Sequence, residues 1–361
     1  MSKDLHLENI LNPTWIPYLR DTIESQPDAE SYLTKKRRTM FPDLENTFQA
    51  LNLTTPEKCK VVIFGQDPYP RKESAIGISF CDGLIHSWTS PTCPSMRNIF
   101  KNLLICEKKL TPTSKVEELR AQMKKLKMVS PYEWFFRTGR QGVLWLNTSL
   151  TYTSTQELQT HTAFWKPIVK RIIETLFEAK AKVNSTDTEL KHITFVLWGG
   201  HAQKLEKIIN QISSKTGMNP HCSIVKAPHP AVEAFHTVLS FTNIDSEMKK
   251  AGQSCVQWII STSDTIGKED AGDKPQCEDG QCVASSSSCP SSCKASDSKK
   301  KLDAIQVLPE KRTRAAADEC VATTEEMKVP VSAEEGKDED AEEEDVEDAK
   351  GKKRKASEKR S

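Results

Sequence analysis

The sequence predicts an α/β fold: a central four-stranded parallel sheet with helices on both faces. Four short runs have the length and the β-branched or aromatic content of buried strands, namely "KVVIF" (60–64), "GVLWLN" (142–147), "ITFVLW" (193–198) and "SIVKA" (223–227). Between them lie segments with helical periodicity. Strands that are apolar throughout and alternate with helices belong to a sheet covered on both sides, the arrangement that parallel pairing produces.

Taken in order, "PTWIPYLRDTIES" and "SYLTKKRRTMF" precede the first strand and predict helices packed on its outside. The first strand ends at "GQDPY", and "SMRNIFKNLLICEKKL" then carries apolar residues at helical spacing. The stretch from Cys106 to Arg140, with basic and aromatic content, is expected to be a surface insertion, because loops tolerate added residues, the other reading being a further contact surface for a ligand. The second strand ends at Asn147, and "FWKPIVKRIIETLFEAKAK" is the next helix. The third strand runs into "WGGHAQK" and the helix "HAQKLEKIINQISSK", and the fourth into "APHP" with His229.

All seven Trp, five Tyr and twelve Phe lie at or before Trp258, whereas 263–361 has none and is rich in Ser, Glu, Asp and Lys. Such a tail cannot bury enough apolar surface to offset its ordering entropy and is expected to be disordered, which leaves 1–262 as the folded domain. The near-neutral charge of +1 is divided: 1–262 carries 33 Lys and Arg against 25 Asp and Glu, and 263–361 carries 18 against 25. A basic domain with an acidic tail fits a polyanion-binding surface moderated by its own tail, or two plain soluble surfaces.

The start has no apolar signal core and no run approaches the roughly 18 apolar residues of a membrane span, so the eleven cysteines are expected to be reduced thiols. Cys277, Cys282, Cys289 and Cys293 form C-x4-C-x6-C-x3-C, which misses the usual C-x2-C pairs and has no His nearby. No metal site is expected there. The tetrad Lys352, Lys353, Arg354 and Lys355 beside an acidic run predicts a nuclear localisation signal. A mitochondrial form would need a different start.

Each strand ends in polar or turn chemistry, and in open α/β sheets ligands bind beyond the carboxyl ends of the strands. Asp67 and Tyr69, Asn147 and His229 are thereby brought to one edge. Taken singly each has an ordinary reading, Asp67 opening a turn before Pro68, Asn147 capping a strand, His229 in a loop and Tyr69 in the core. Together at one edge they define a candidate site.

At these residues the sequence resembles the uracil-DNA glycosylase family over roughly 11–262. "GQDPYP" followed by "GISF" resembles the family's water-activating loop, "LWLNTSLT" its uracil-reading strand end, "VLWGGHAQK" a phosphate-contacting turn, "HP" at 229–230 the start of its histidine loop, and "SPTCPSMRNIFKNL" the Pro-rich loop and helix that grip DNA. The resemblance implies that Asp67 orients the attacking water and stabilises the sugar cation, and that His229 donates toward uracil O2 as negative charge builds. It implies further that Asn147 reads the base edge, Tyr69 stands against C5 and excludes thymine, Phe80 stacks on the flipped base and Gln66 adds a backbone or amide contact. Ser95, placed just before a helix, grips a phosphate as an N-terminal hydroxyl. No cofactor is implied; the expected partner is uracil-containing DNA, and the expected state a monomer.

The pattern departs from the family at three places. Pro70 stands where the family commonly has His, and Gly200 replaces a Ser, removing a hydroxyl contact to phosphate. The histidine loop, Ser-Pro-Leu-Ser in the family, continues here as Ala231, Val232, Glu233 and Ala234, with Glu233 at the position of the Leu wedge and Val232 and Phe235 as substitutes. Extrusion from duplex is expected to be weakened more than chemistry on an already exposed base, so uracil in single strands is favoured over uracil in duplex. The alternative is a DNA-binding or processivity protein that keeps the fold with weakened catalysis; a nucleotide-binding α/β enzyme is disfavoured, since no Gly-rich phosphate loop follows any strand.

Overall fold

The computed structural model describes residues 5–35, 37–90, 93–184 and 186–267. The tail cysteines Cys277, Cys282, Cys289 and Cys293 and the basic tetrad 352–355 lie outside the described residues. Four parallel strands, β1 (Val61–Gly65), β2 (Val143–Asn147), β3 (Ile193–Trp198) and β4 (Cys222–Ala227), pair in the order β2-β1-β3-β4. The helices are α1 (Ile16–Glu24), α2 (Ala29–Leu33), α3 (Gln49–Asn52), α4 (Pro94–Cys106), α5 (Val116–Lys125), α6 (Pro131–Arg140), α7 (Leu158–Lys182), α8 (Thr188–Lys191), α9 (Gly199–Gln203), α10 (Glu206–Lys215) and α11 (Ser240–Lys250).

Side chains alternate across each strand, so one sequence feeds two cores. Val62, Phe64, Leu144, Leu146, Phe195 and Leu197 join the core built with α1, α7 and α10. Val61, Ile63, Val143, Trp145, Val196 and Trp198 face the other core, with α4, α6 and α11. β1, β2 and β3 are buried throughout, whereas β4, one of the two edge strands with β2, exposes Lys226, which pairs with Glu206 at 3.1 Å. A cation on an outer strand also discourages edge-to-edge pairing with another chain.

The segment from Cys106 to Arg140 is not a surface insertion. It forms α5 and α6, and α6 buries Trp134 and Phe135 against Trp145 of β2, with ring centroids 5.6 and 4.8 Å apart. Its Trp134 Nε1 donates to the Trp258 carbonyl at 2.7 Å. The apolar residues of "PYEWFFRTGR" are helix-core residues, and their basic neighbours lead away from that reading: Arg137 is itself buried and donates to the Asp264 carbonyl at 2.7 Å.

Candidate active site at the carboxyl edge of the sheet

β1 and β2 end in register, with Gly65 opposite Asn147. A Cβ on Gly65 would lie 2.3 Å from Asn147 Oδ1 and 2.7 Å from Ser79 Cβ, so the glycine is the space in which the buried Asn147 amide sits. The chain beyond both strands is stitched together. Thr148 N–H donates to the Gly65 carbonyl at 3.0 Å, while Ser149 N–H and Thr148 Oγ1 both donate to the Gln66 carbonyl at 3.0 Å. These bonds fix the backbone on which Asp67 follows.

Asp67 is partly buried, and desolvation pushes its carboxyl up to about 6, offset in part by a hydrogen bond from the Gln66 side chain. Burial disfavours the ionised form, so a carboxylate here is kept charged at neutral pH against its surroundings. Two residues on, Tyr69 Oη donates to the Phe80 carbonyl at 3.2 Å and lies 2.8 Å from Cys93 Sγ. Phe80 has φ +63°, the left-handed region that a side chain rarely adopts. The bond from Tyr69 and that from Ser79 N–H to the Trp145 carbonyl at 3.1 Å hold it there. Its ring centroid lies 5.7 Å from that of Trp198 and 6.2 Å from that of His229.

His229 follows β4. Its Nδ1 accepts from Ala231 N–H at 3.1 Å, which assigns the proton of the neutral ring to Nε2. Burial, followed by the neighbouring His201, lowers its pKa, so the ring is neutral at neutral pH. Gly199, at φ +85°, admits the imidazole: a Cβ there would stand 2.8 Å from His229 Cβ. The loop is also held from behind. Asn98 Nδ2 donates to the Pro230 carbonyl at 2.7 Å, and Asn102 Nδ2 donates to the carbonyls of Phe235 and Val238, each at 2.7 Å.

Gln66, Tyr69, Phe80, Asn147 and His229 are thus joined at one edge, with Asp67 on the connecting loop. The rim residues are arranged differently from the sequence expectation. Ser95 is not an N-cap: α4 begins at Pro94, Cys93 precedes it, and Ser95 is the second residue of the first turn. Gly200 has open space around it, with nothing within 4 Å of a Cβ. Ala231 is partly exposed and Glu233 exposed. Of the two substitute wedges, Phe235 is excluded, since it is fully buried with its ring 5.1 Å from Trp198, whereas Val232 is 46% exposed.

Sequence reasoning missed Gly65, Thr148, Asn98, Asn102 and His201, whose Nε2 lies 2.9 Å from Thr148 Oγ1. Gly65, Thr148 and His201 stand inside the motifs quoted for their neighbours; Asn98 and Asn102, one turn apart on α4, have the spacing of two residues on one helix face.

No family model matches the chain. Among curated proteins it is 31% identical over 229 residues to a uracil-DNA glycosylase of Halalkalibacterium halodurans, covering 62% of this chain and 84% of that one. It is 29% identical over 270 residues to a uracil-DNA glycosylase of Bacillus cereus strain B4264, covering 70% and 99%. The wild-type UNG crystal structure from Nitratifractor salsuginis superposes with a TM-score of 0.56 at 25% identity, covering 69% of this chain and 98% of that one.

Proposed function

The chain belongs to the uracil-DNA glycosylase family, and from that premise we propose that it hydrolyses the N-glycosidic bond of uracil in DNA, releasing uracil and leaving an abasic site to begin base excision repair. The observation that carries this reading is the pairing of two oppositely tuned groups at one edge, a carboxyl that is ionised near neutrality and an imidazole that is neutral with its proton on Nε2. Cleavage gives the sugar oxocarbenium character and the leaving base negative charge, and each group answers one of them.

Asp67 places negative charge near the sugar and, with a pKa near the working pH, accepts a proton from the attacking water. His229 Nε2–H donates to uracil O2. A neutral donor avoids placing a second full charge in a desolvated site. Asn147 presents a donor and an acceptor to the base edge, and a cytosine there would leave buried polar groups unpaired. Phe80, fixed by Tyr69 and backed by Trp198, stacks on the extruded base, while the Tyr69 ring bars a methyl at C5. Gln66 keeps its amide for the base or for Asp67, since its carbonyl is taken up by Thr148 and Ser149.

On the DNA side, Ser95 contributes a first-turn hydroxyl, and Gly200, Ala231 and Glu233 line a rim poor in phosphate donors. The substrate reading is therefore uracil in single-stranded DNA preferred over duplex, with Val232 the residue placed to enter the stack. The protein acts as a monomer in the nucleus, directed there by the tetrad 352–355. The deciding experiment is uracil release from a single-uracil oligonucleotide, single-stranded and paired, by the protein and by Asp67→Asn. Release lost in the variant supports the reading; no release by the unaltered protein with DNA binding intact would replace it with that of a non-catalytic DNA-binding protein.

A further inference from the structure

Behind the histidine loop lies a cavity of about 400 Å³ that the glycosylase chemistry does not use. It is bounded by α4, by the first turn of α5 and by His236 of the short helix Glu233–Thr237. Three cations line it, Arg97, Lys101 and Lys115, and among the described residues none of their side-chain nitrogens has a carboxylate oxygen within 4.0 Å. Lys101 Nζ donates once, to the Pro112 carbonyl at 2.6 Å, which leaves two of its protons.

His236 supplies the independent observation. It is 6% exposed, lines the cavity, and neither Nδ1 nor Nε2 has a hydrogen-bond partner among the described residues. A buried imidazole with both nitrogens unpaired costs stability unless something bonds to it. Its burial and the nearby Lys101 and Arg97 hold its pKa down, with Glu233 opposing, and Arg97 and Lys101 also repel each other. Glu117 lines the cavity as well, while the Glu118 oxygens are taken up by Lys115 N–H at 2.9 Å and Ser114 Oγ at 3.1 Å. Three cations, the amino end of a ten-residue helix and an unsatisfied imidazole stand against Glu117, Glu118 and Glu233, of which Glu118 is already held by hydrogen bonds, and the donors share one need, an anion rich in acceptors.

We propose that this cavity is a phosphate-binding site, separate from the catalytic edge, that takes a phosphate-class anion between Arg97, Lys101 and Lys115 with His236 donating to it. The anion is a phosphodiester of the bound DNA strand or a free phosphate. Either one would brace the helix Glu233–Thr237, whose Phe235 carbonyl is already tied to Asn102.

The test is nuclear magnetic resonance of the full chain with ring-labelled histidine, titrated with inorganic phosphate at constant ionic strength and, separately, with a uracil-free single-stranded oligonucleotide. The His236 ring signal is expected to shift and its pKa to rise on binding, and Arg97→Gln and Lys115→Gln each to weaken that binding about tenfold, as for loss of a charge-assisted hydrogen bond. A shift with the oligonucleotide, alone or in competition with phosphate, assigns the ligand to the DNA backbone. A shift with phosphate that persists when the oligonucleotide is bound assigns it to a free anion. A His236 ring indifferent to both ligands, or binding unchanged in both variants, overturns the proposal. Uracil release does not enter the readout, so the result stands apart from the glycosylase reading.

Discussion

Gly65→Ala isolates the role of the Asn147 amide without touching a group that meets the substrate. Gly65 lies on a strand and not in the left-handed region, so its backbone accepts alanine, and the whole effect comes from the new methyl. That methyl would stand 2.3 Å from Asn147 Oδ1, about 1 Å inside ordinary contact, and 2.7 Å from Ser79 Cβ. Among the described residues the Asn147 side chain has no hydrogen bond to hold it, so it yields by turning away from the base. A misplacement of about 1 Å at a substrate-positioning group costs on the order of a hundredfold in rate. The packing strain adds about 1–3 kcal/mol of destabilisation, which for this size lowers Tm by several degrees without unfolding the protein at 25 °C. The assay is single-turnover uracil release from single-stranded substrate, run on Gly65→Ala, Asn147→Ala and the double variant beside thermal melts. Loss of similar size in all three shows that the glycine acts through the asparagine. A kcat/KM within threefold of the unaltered protein in Gly65→Ala would refute the steric argument.

Other expectations follow from the same geometry. The Asp67 carboxyl sits at about 6 in the fold against 3.8 in the unfolded chain, so its ionised form is disfavoured on folding. The penalty is absent below pH 3.8, grows through pH 6 and is full above it, so Asp67→Asn should abolish release yet raise stability at pH 7.5 by up to about 3 kcal/mol, reduced because the side chain is only partly buried, a gain that vanishes near pH 3.5 in urea melts. Glu233→Leu combined with Gly200→Ser, which open space permits, should raise release from duplex relative to single strands; an unchanged ratio would end the account of the rim. Asn98→Ala frees the Pro230 carbonyl and should lower kcat more than it changes KM, by roughly tenfold or more, as expected for a lost buried hydrogen bond of about 1–3 kcal/mol. Equal effects on kcat and stability, with no recovery in an Asn98→Gln control that keeps an amide donor, would mark it as merely structural.

The four strands were legible because buried parallel strands leave continuous β-branched and aromatic runs, and their bounds shift by only a residue at the ends. The helices Val116–Lys125 and Pro131–Arg140 were not, because "YEWFF" reads equally as loop aromatics until Trp145 and Trp258 are brought to it through contacts distant in sequence. At the site, residue types that carry chemistry announce themselves: Asp67, Asn147 and His229 stand where strands end. Residues that act by leaving room or by bonding to backbone do not. Gly65 matters for the atom it lacks, and Asn98 for a carbonyl 132 residues away. Phe235 and Val232 show the limit most plainly, since apolar residues three positions apart in one loop divide into a core anchor and an exposed tip only when the loop's turn is known.

The two central groups are tuned by one cause with opposite effect. Burial raises the Asp67 carboxyl and lowers the His229 imidazole, so drying the edge drives both toward neutrality. For the imidazole that is the useful form under the proposed chemistry, since a neutral Nε2–H can donate to the departing base without adding a full positive charge to a desolvated site. For the carboxyl it is the opposed form, and the fold stops short of it: a value of about 6 leaves Asp67 ionised at neutral pH and still basic enough to take a proton from water. One titration therefore governs the acid side of the rate profile, and its slope is that of a single proton. Were His229 required as imidazolium, activity would instead fall as pH rose through neutrality, a result that burial of the ring and the bond from Ala231 both argue against.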